Sequence, residues 1–273
     1  MIVPEPLFLH GSAGALFALY VPAEKPADRG VVLVPPFAEE MNRARRMLRL
    51  QATALAESRI SALLLDPFGT GDSGGDFADA RWETWIADLR VAVMALTARG
   101  IQRIGLLGMR LGAVLAVAAA ATLASPCFAT ALWQPVVEGN RHLAEWLRVR
   151  TLPGPSNVSR RVTVEMMRAC LAAGKTVEVG GYEIAPAMAV ALDSLDLTEL
   201  AHPALGKVIW FEVVRDPMLP LSSAGTRCIA AWTASGLTVT AETIPGPAFW
   251  TGQGNNIVPD LISATTAALE KEP

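Results

Sequence analysis

A short apolar segment, residues 103–107, runs into Gly108-Met109-Arg110-Leu111-Gly112 and then into small apolar residues that extend to Ala124. The first segment has the residues of a buried strand, and the second has those of a buried helix. Only a tight turn fits between them, and two glycines allow the backbones on either side to approach closely. The sequence therefore predicts a strand, a sharp turn at Arg110 and a helix packed back against the strand.

The same alternation of strand and helix continues along most of the chain. Apolar, β-branched segments predict strands at residues 31–34, 60–65, 103–107, 129–133, 208–214 and 237–244. Helical spacing of apolar residues predicts a helix over 82–96 and others near 111–124, 223–234 and 258–269. Such alternation predicts an α/β fold with a mostly parallel central sheet and helices on both faces.

The alternation breaks between residues 139 and 200. This part contains residues 152–155, which are rich in proline and glycine, a helical segment, and a strand-like piece around 177–184. An insertion in a parallel sheet normally packs over the carboxyl ends of the strands, where ligands bind. We therefore expect one domain over residues 1–273, with residues 139–200 forming a small cap.

Composition limits the classes of function. The chain has 273 residues, is 52% hydrophobic and carries a net charge of −3, so we expect one large core and no nucleic-acid partner. Cys127, Cys170 and Cys228 are too scattered to predict a disulfide framework or a zinc site. Residues 1–10 lack the order of a signal peptide, and residues 111–124 are short for a membrane span. We expect a cytoplasmic protein without a transmembrane segment, metal or cofactor.

Several motifs resemble those of the α/β-hydrolase superfamily. Residues 35–37 stand where many members have His-Gly-x, and residues 66–73 resemble the Asp-x-x-Gly-x-Gly-x-Ser stretch. Residues 108–112 resemble the Gly-x-Ser-x-Gly nucleophile elbow, with arginine in place of serine. Residues 34–42 and 248–250 further resemble the second of two α/β-hydrolase-like proteins associated with exosortase A systems. The resemblance implies an α/β-hydrolase fold and a cytoplasmic protein linked to exopolysaccharide and protein sorting.

The resemblance also locates the three positions of a hydrolase triad. The nucleophile position falls on Arg110, whose guanidinium stays protonated and cannot attack a carbonyl. The acid position falls on Asp216, after the predicted strand at 208–214. The base position falls in residues 244–250, which contain no histidine. A conventional Ser-His-Asp mechanism is therefore not expected, because serine and histidine act as a pair.

The histidines of the chain are His10, His142 and His202, and we interpret them as surface or structural residues. His142 is the exception, because it follows Glu138 at the start of the predicted cap and could face the cleft.

An arginine at the amino end of a helix suits a carboxylate or a phosphate, because backbone N–H groups and the helix dipole already favour an anion there. The alternative is that an internal acid neutralises Arg110. The candidate acids are Glu39, Glu40, Glu138 and Asp216. The backbone N–H groups of Phe37 and Leu111 do not depend on the missing side chains and are the predicted oxyanion-binding donors.

Two classes of function remain open. The first is an enzyme of hydrolase descent that acts on an ester, a thioester or a glycan-linked substituent, with Arg110 and Asp216 polarising the substrate. In it Glu39 or Glu40 would activate water, unless both only support a helix terminus. The second is an inactive binding or scaffold protein for an acyl, ester or anionic small molecule, or for a protein of the same system. The predicted substrate-binding residues are Phe37, Glu39, Glu40, Leu111 and Glu138.

Overall fold

The computed structural model describes residues 2–25, 27–149, 162–251 and 256–272. Its main feature is an eight-stranded sheet in the order β1-β2-β4-β3-β5-β6-β9-β10. The strands are β1 (Glu5–His10), β2 (Ala15–Val21), β3 (Arg29–Val34), β4 (Ser61–Leu65), β5 (Arg103–Met109), β6 (Ala129–Trp133), β9 (Lys207–Val214) and β10 (Val239–Pro245), and a separate antiparallel pair is formed by β7 (Val177–Val179) and β8 (Tyr182–Ile184).

Helices cover both faces of the sheet. They are α1 (Glu39–Glu57), α2 (Trp82–Thr97), α3 (Leu111–Ala120), α4 (Gly139–Arg148), α5 (Val164–Ala172), α6 (Pro186–Ser194), α7 (Ser223–Ala234) and α8 (Pro259–Glu270). The buried residues of α1 and α8 share one core, and those of α2, α3 and α7 belong to the core on the opposite face. The predicted fold class is confirmed.

The six strands from β4 to β10 in the sheet order run parallel. Their burial follows from composition, because β3 and β6 are apolar on both sides and fit between two helix layers. Helix α3 is buried almost all round, whereas α2 buries one stripe that includes Trp85 and Leu89. Parallel strands bring the loops after β3, β5, β6, β9 and β10 to one edge of the sheet.

The amino-terminal hairpin of β1 and β2 was not predicted from the sequence. Strand β1 pairs antiparallel with β2, and β2 pairs antiparallel with β4. An edge strand is half exposed, and Phe8 remains 68% exposed while its ring packs edge-on against Phe17 at 5.7 Å. Such a strand lacks the continuous apolar run of the central strands, so its signal in the sequence is weak.

The segment of residues 139–200 contains α4, α5, the β7–β8 hairpin and α6. The hairpin coincides with the strand-like piece predicted at 177–184, and the Tyr182 ring lies 5.5 Å from that of Phe77. The predicted stretch at 152–155 lies outside the described residues. Helix α4 packs over the loop after β3, because His142 and Trp146 place their rings 5.4 and 5.3 Å from Phe37.

Candidate functional site

Arg110 is the single residue between β5 and α3, and its backbone is strained. Its φ of 55° and ψ of −120° define a backbone conformation that residues other than glycine rarely adopt. Conformations of this kind cost about 1–3 kcal/mol and persist where the surroundings fix them. The Arg110 N–H donates to the Trp133 carbonyl at 3.0 Å, and the Arg110 carbonyl accepts from the Ala113 N–H at 3.1 Å. The turn therefore holds the arginine side chain at the carboxyl edge of the sheet.

Two glycines let this turn close. A Cβ atom on Gly108 would collide with the backbone of Ala113, and one on Gly112 would collide with the Pro35 carbonyl. Both glycines are thus required by close backbone approach, which agrees with the tight turn predicted from their spacing.

Glu40, His142 and Trp250 contact the Arg110 side chain. Its Nε donates to both carboxylate oxygens of Glu40, at 3.1 and 3.3 Å, and its Nη2 lies 3.5 Å from His142 Nδ1. The guanidinium carbon lies 5.6 Å from the ring centroid of Trp250. The side chains of Arg110 and Glu40 are only 17% and 19% exposed. Arg110 is therefore a largely buried cation with an internal counterion.

Of the four candidate acids, Glu40 is the one that forms an ion pair with Arg110. Glu39, the neighbouring residue, is half exposed and points to a different arginine. The remaining contacts of the candidate acids are Glu39 with Arg43 at 2.9 Å, Glu138 with Arg227 at 3.2 Å, and Asp216 with the N–H of Met218 at 2.9 Å.

Burial of Glu40 raises the pKa of its carboxyl group, and the charge of Glu145 adds to this effect. The charge and hydrogen bond of Arg110 act in the opposite direction. Glu40 also lies in the first turn of α1, where the helix dipole favours a negative charge. With Arg110 always protonated, the arrangement is an ion pair held against a desolvation penalty.

His142 faces Arg110 from α4. Burial, with a contribution from the charge of Arg110, lowers the pKa of the imidazole to about 3. The ring is therefore neutral near pH 7, and we assign its Nδ1 as the acceptor and its Nε2 as the protonated nitrogen. The buried Nε2 has no hydrogen-bond partner among the described residues. His142 is consequently a poor base in this arrangement.

Arg110, His142 and Glu145 lie between two cavities. The first, of about 460 Å³, is called the polar cavity here, and the second, of about 490 Å³, is called the aromatic cavity. The polar cavity is lined by Arg110, Gln134, Pro135, Val136, Val137, Glu138, Arg141, His142, Glu145, Glu212, Ser222, Ser223, Ala224 and Arg227. The aromatic cavity is lined by Phe37, Glu39, Glu40, Arg43, Arg110, His142, Glu145, Trp146, Val149, Val179, Gly180, Trp250 and Thr251.

Most of the predicted site residues meet at these cavities. Phe37, Glu39 and Glu40 line the aromatic cavity, and Glu138 lines the polar cavity. Leu111 lies instead beside Phe37 at a narrow gap of about 10 Å³, at the amino terminus of α3.

Asp216 is exposed and does not line either cavity. Its carboxylate closes a turn on the Met218 N–H instead.

Glu212, a buried carboxylate that lines the polar cavity, was not predicted from the sequence. Glu212 Oε1 accepts from Trp210 Nε1 at 3.1 Å and from Ser222 Oγ at 2.9 Å, and Oε2 accepts from the Ser222 N–H at 2.7 Å. These bonds tie β9 to the amino terminus of α7. The one feature of the sequence that could have indicated this residue is that Glu212 is the single acid in the apolar segment 208–214.

Trp146, Glu145 and Trp250 were also not predicted to be site residues. Trp250 follows β10 in the loop that contains Phe249, and its ring packs edge-on against that residue at 5.1 Å. Its aromatic character was visible in the sequence, but its position over Arg110 depends on how β5 and β10 are placed in the sheet.

Neither a metal centre nor a membrane span is found among residues 2–25, 27–149, 162–251 and 256–272. No three His, Cys, Asp or Glu side chains there group as metal ligands would. Every helix in the same ranges falls short of the length and apolarity needed to cross a membrane.

Comparison with protein-family models gives no match, and comparison with curated protein sequences gives none either. Solved structures do match. The esterase Est1E from Butyrivibrio proteoclasticus, solved with ferulic acid bound, has a TM-score of 0.69 at 13% identity, covering 97% of this chain and 98% of that one. A putative hydrolase from Agrobacterium vitis has a TM-score of 0.65 at 17% identity, covering 98% of both chains.

An esterase from Pyrococcus furiosus matches with a TM-score of 0.63 at 15% identity, over 99% of this chain and 91% of that one. At such low identity the likeness concerns the fold and not the chemistry of the site. The mostly parallel sheet, the helices on both faces and these structural neighbours together show that the chain has the α/β-hydrolase fold.

Proposed function

We propose that this protein binds a small molecule through an acyl, ester or anionic oxygen group at Arg110, without serine-based acyl transfer. One observation carries the proposal. The strained turn between β5 and α3 presents Arg110, not a nucleophile, between two cavities that are each large enough for a small ligand.

The residues at the other triad positions support binding over acyl transfer. The loop after β10, where the resemblance places the general base, contributes Trp250 beside Arg110. The acid position, Asp216, is exposed and closes its own turn. His142 is near Arg110 but holds protons too weakly to serve as a base near neutral pH.

The cavities suggest the shape of the ligand. Phe37, Trp146 and Trp250 give the aromatic cavity apolar walls suited to an acyl chain or an aryl ring. Glu138, Arg141 and Arg227 give the other cavity polar walls suited to a hydroxylated or charged group. Est1E, solved with ferulic acid bound, is one fold relative whose ligand combines an aryl ring with a carboxyl group.

The resemblance to exosortase-associated proteins adds a biological setting to the proposal. In that setting the protein is cytoplasmic, residues 139–200 act as a cap, and the ligand comes from exopolysaccharide or protein-sorting chemistry. A scaffold role toward a protein of the same system is the alternative within this setting.

A second candidate is hydrolysis by an activated water. Its basis is Glu40, a carboxylate whose pKa is raised by burial and which lines the aromatic cavity beside Arg110. In this mechanism Glu40 takes a proton from water, and the hydroxide adds to the substrate carbonyl carbon while Arg110 polarises the carbonyl oxygen. The bond to the leaving alcohol or thiol then breaks, Glu40 returns the proton to that group, and no covalent bond to the enzyme forms.

One experiment separates the two candidates. Purified wild type, Arg110→Ala, Glu40→Gln and Asp216→Ala are assayed with p-nitrophenyl acetate, p-nitrophenyl octanoate and an acyl thioester. Binding of cinnamate and methyl cinnamate is followed by calorimetry in parallel. The binding proposal expects no turnover above Arg110→Ala, together with probe binding that Arg110→Ala abolishes. Wild-type turnover lost in both Arg110→Ala and Glu40→Gln would favour hydrolysis, and probe binding unaffected by Arg110→Ala would refute the binding site.

A further inference from the structure

We propose that Glu40 makes the Arg110 site selective for neutral carbonyl ligands, such as esters and amides, over free carboxylates. The inference rests on the proposed function and names the ligand class of the same site. It depends on how Arg110 is paired and on which charges surround the pair.

Arg110 still has N–H groups to offer a ligand. A guanidinium has five N–H donors. Both Glu40 oxygens share the single Nε donor, and Nη2 faces His142, whereas Nη1 makes no hydrogen bond to any residue in the described ranges. Arg110 lines both cavities. A carbonyl oxygen needs only one such donor and brings no charge with it.

In the aromatic cavity a ligand carboxylate would meet an unfavourable charge balance. The charged groups around the pair are Glu39 and Arg43 from α1 and Glu145 from α4, and His142 is neutral. Glu145 lies 3.7 Å from Arg141, an exposed side chain that lines the polar cavity and not the aromatic one. With Arg110 and Glu40 included, three carboxylates and two guanidinium groups line the aromatic cavity. The charge of Glu145 already acts against ionisation of Glu40, so a further anion would be repelled by both.

A ligand carboxylate that displaced Glu40 from Arg110 would also bind unfavourably. Glu40 is mostly buried, and its closest cation is Arg110. A ligand that took its place would leave a desolvated carboxylate without a counterion, which is strongly destabilising. The pair therefore acts as a neutral unit, and the ligand that fits beside it is neutral.

The test compares the matched probes methyl cinnamate and cinnamate near neutral pH by isothermal titration calorimetry. Wild type should bind the ester roughly tenfold or more tightly than the acid. Glu40→Gln keeps the side-chain shape but removes the charge, so it should reduce the ester-to-acid ratio by roughly tenfold or reverse it. Glu39→Gln should change the ratio less, because that carboxylate is half exposed and paired with Arg43.

Glu272→Gln is the matched control. Glu272 is 13% exposed and pairs with Lys207 at 2.6 Å, at the start of β9 and so at the opposite edge of the sheet. Its loss should leave the ratio unchanged.

The outcomes are distinct. A wild type that binds cinnamate as tightly as the ester overturns the selectivity, and this result needs no variant to fold. The same conclusion follows if Glu40→Gln leaves the ratio unchanged. Failure of wild type and all variants to bind either probe would instead overturn the proposed function and, with it, the inference.

Discussion

Three buried side chains keep a polar atom without a hydrogen-bond partner in the described part of the chain: Gln51, Asp88 and His142. A buried atom of this kind carries a desolvation penalty, and for an ionisable group the penalty shifts the pKa. The pKa of His142 falls to about 3, and that of Asp88 rises to about 6. The two groups therefore give stability opposite dependences on pH.

Asp88 provides a prediction that is independent of the site. Its Oδ2 accepts from the Phe68 N–H at 2.9 Å, and its Oδ1 has no hydrogen-bond partner among the residues that the structure describes. The pKa of Asp88 is about 6 in the folded protein, against an ordinary value of 3.8, so the native state binds more protons than the unfolded state between these values. Stability therefore falls as pH rises through that window. Asp88→Asn removes this loss. We expect urea unfolding to show that the free energy of unfolding of the variant rises relative to that of wild type between pH 4 and pH 7, by about a few kcal/mol at most. A constant difference would contradict the assignment.

At the scale of elements, the turn between β5 and α3 depends on backbone contact across the sheet edge. Gly112, in the first turn of α3, lies against the carbonyls of Val34 and Pro35 at the end of β3. A Cβ atom at position 112 would collide with those carbonyls, so this close approach of α3 to the end of β3 requires glycine. This arrangement also sets the direction of the Arg110 side chain.

Gly112→Ala should therefore destabilise the protein, because the new methyl group meets backbone that cannot rotate away. We expect a loss of about 2 kcal/mol or more in the free energy of unfolding. Gly74→Ala is the control, since a Cβ there has nearest neighbours at 3.4 and 3.6 Å, which is ordinary contact. Urea or thermal unfolding measures the stability of both variants. Equal losses in the free energy of unfolding would contradict the prediction that close backbone approach at Gly112 excludes a side chain.

On the scale of the whole molecule, the site is assembled from four separate parts of the chain. Arg110 follows β5, Glu40 lies in the first turn of α1 after β3, His142 belongs to α4 after β6, and Trp250 follows β10. Glu40 and Arg110 are 70 residues apart in sequence. The parallel sheet joins them, since the carboxyl ends of its strands lie at one edge.

This assembly predicts that a serine introduced at position 110 does not by itself create an esterase. Arg110→Ser should hydrolyse p-nitrophenyl acetate no faster than Arg110→Ala, because Trp250 stands beside residue 110 and His142 is a weak base. Turnover in Arg110→Ser that disappears in the double variant Arg110→Ser with His142→Phe would contradict this and identify His142 as a usable base.

Much of the fold was predictable, whereas only part of the site was. The central strands and helices follow from apolar periodicity, which is a local property, and the turn at Arg110 follows from two glycines and a strand-to-helix boundary. The hairpin of β1 and β2 was not predicted, because an edge strand lacks a continuous run of apolar residues in the sequence. Glu212 was not predicted because the sequence shows only one acid in an apolar segment. It does not show that Ser222, at the amino terminus of α7, donates hydrogen bonds to that carboxylate.

The sequence by itself determined the layered α/β architecture, the sharp turn between β5 and α3 and the presence of an arginine at that turn. Only the tertiary structure decided that Glu40, and not the adjacent Glu39, neutralises Arg110, and that His142 and Trp250 complete its surroundings. The physical reason is range. Periodicity and turn chemistry act between neighbours along the chain, whereas ion pairing and desolvation depend on which distant segments the packed sheet brings together.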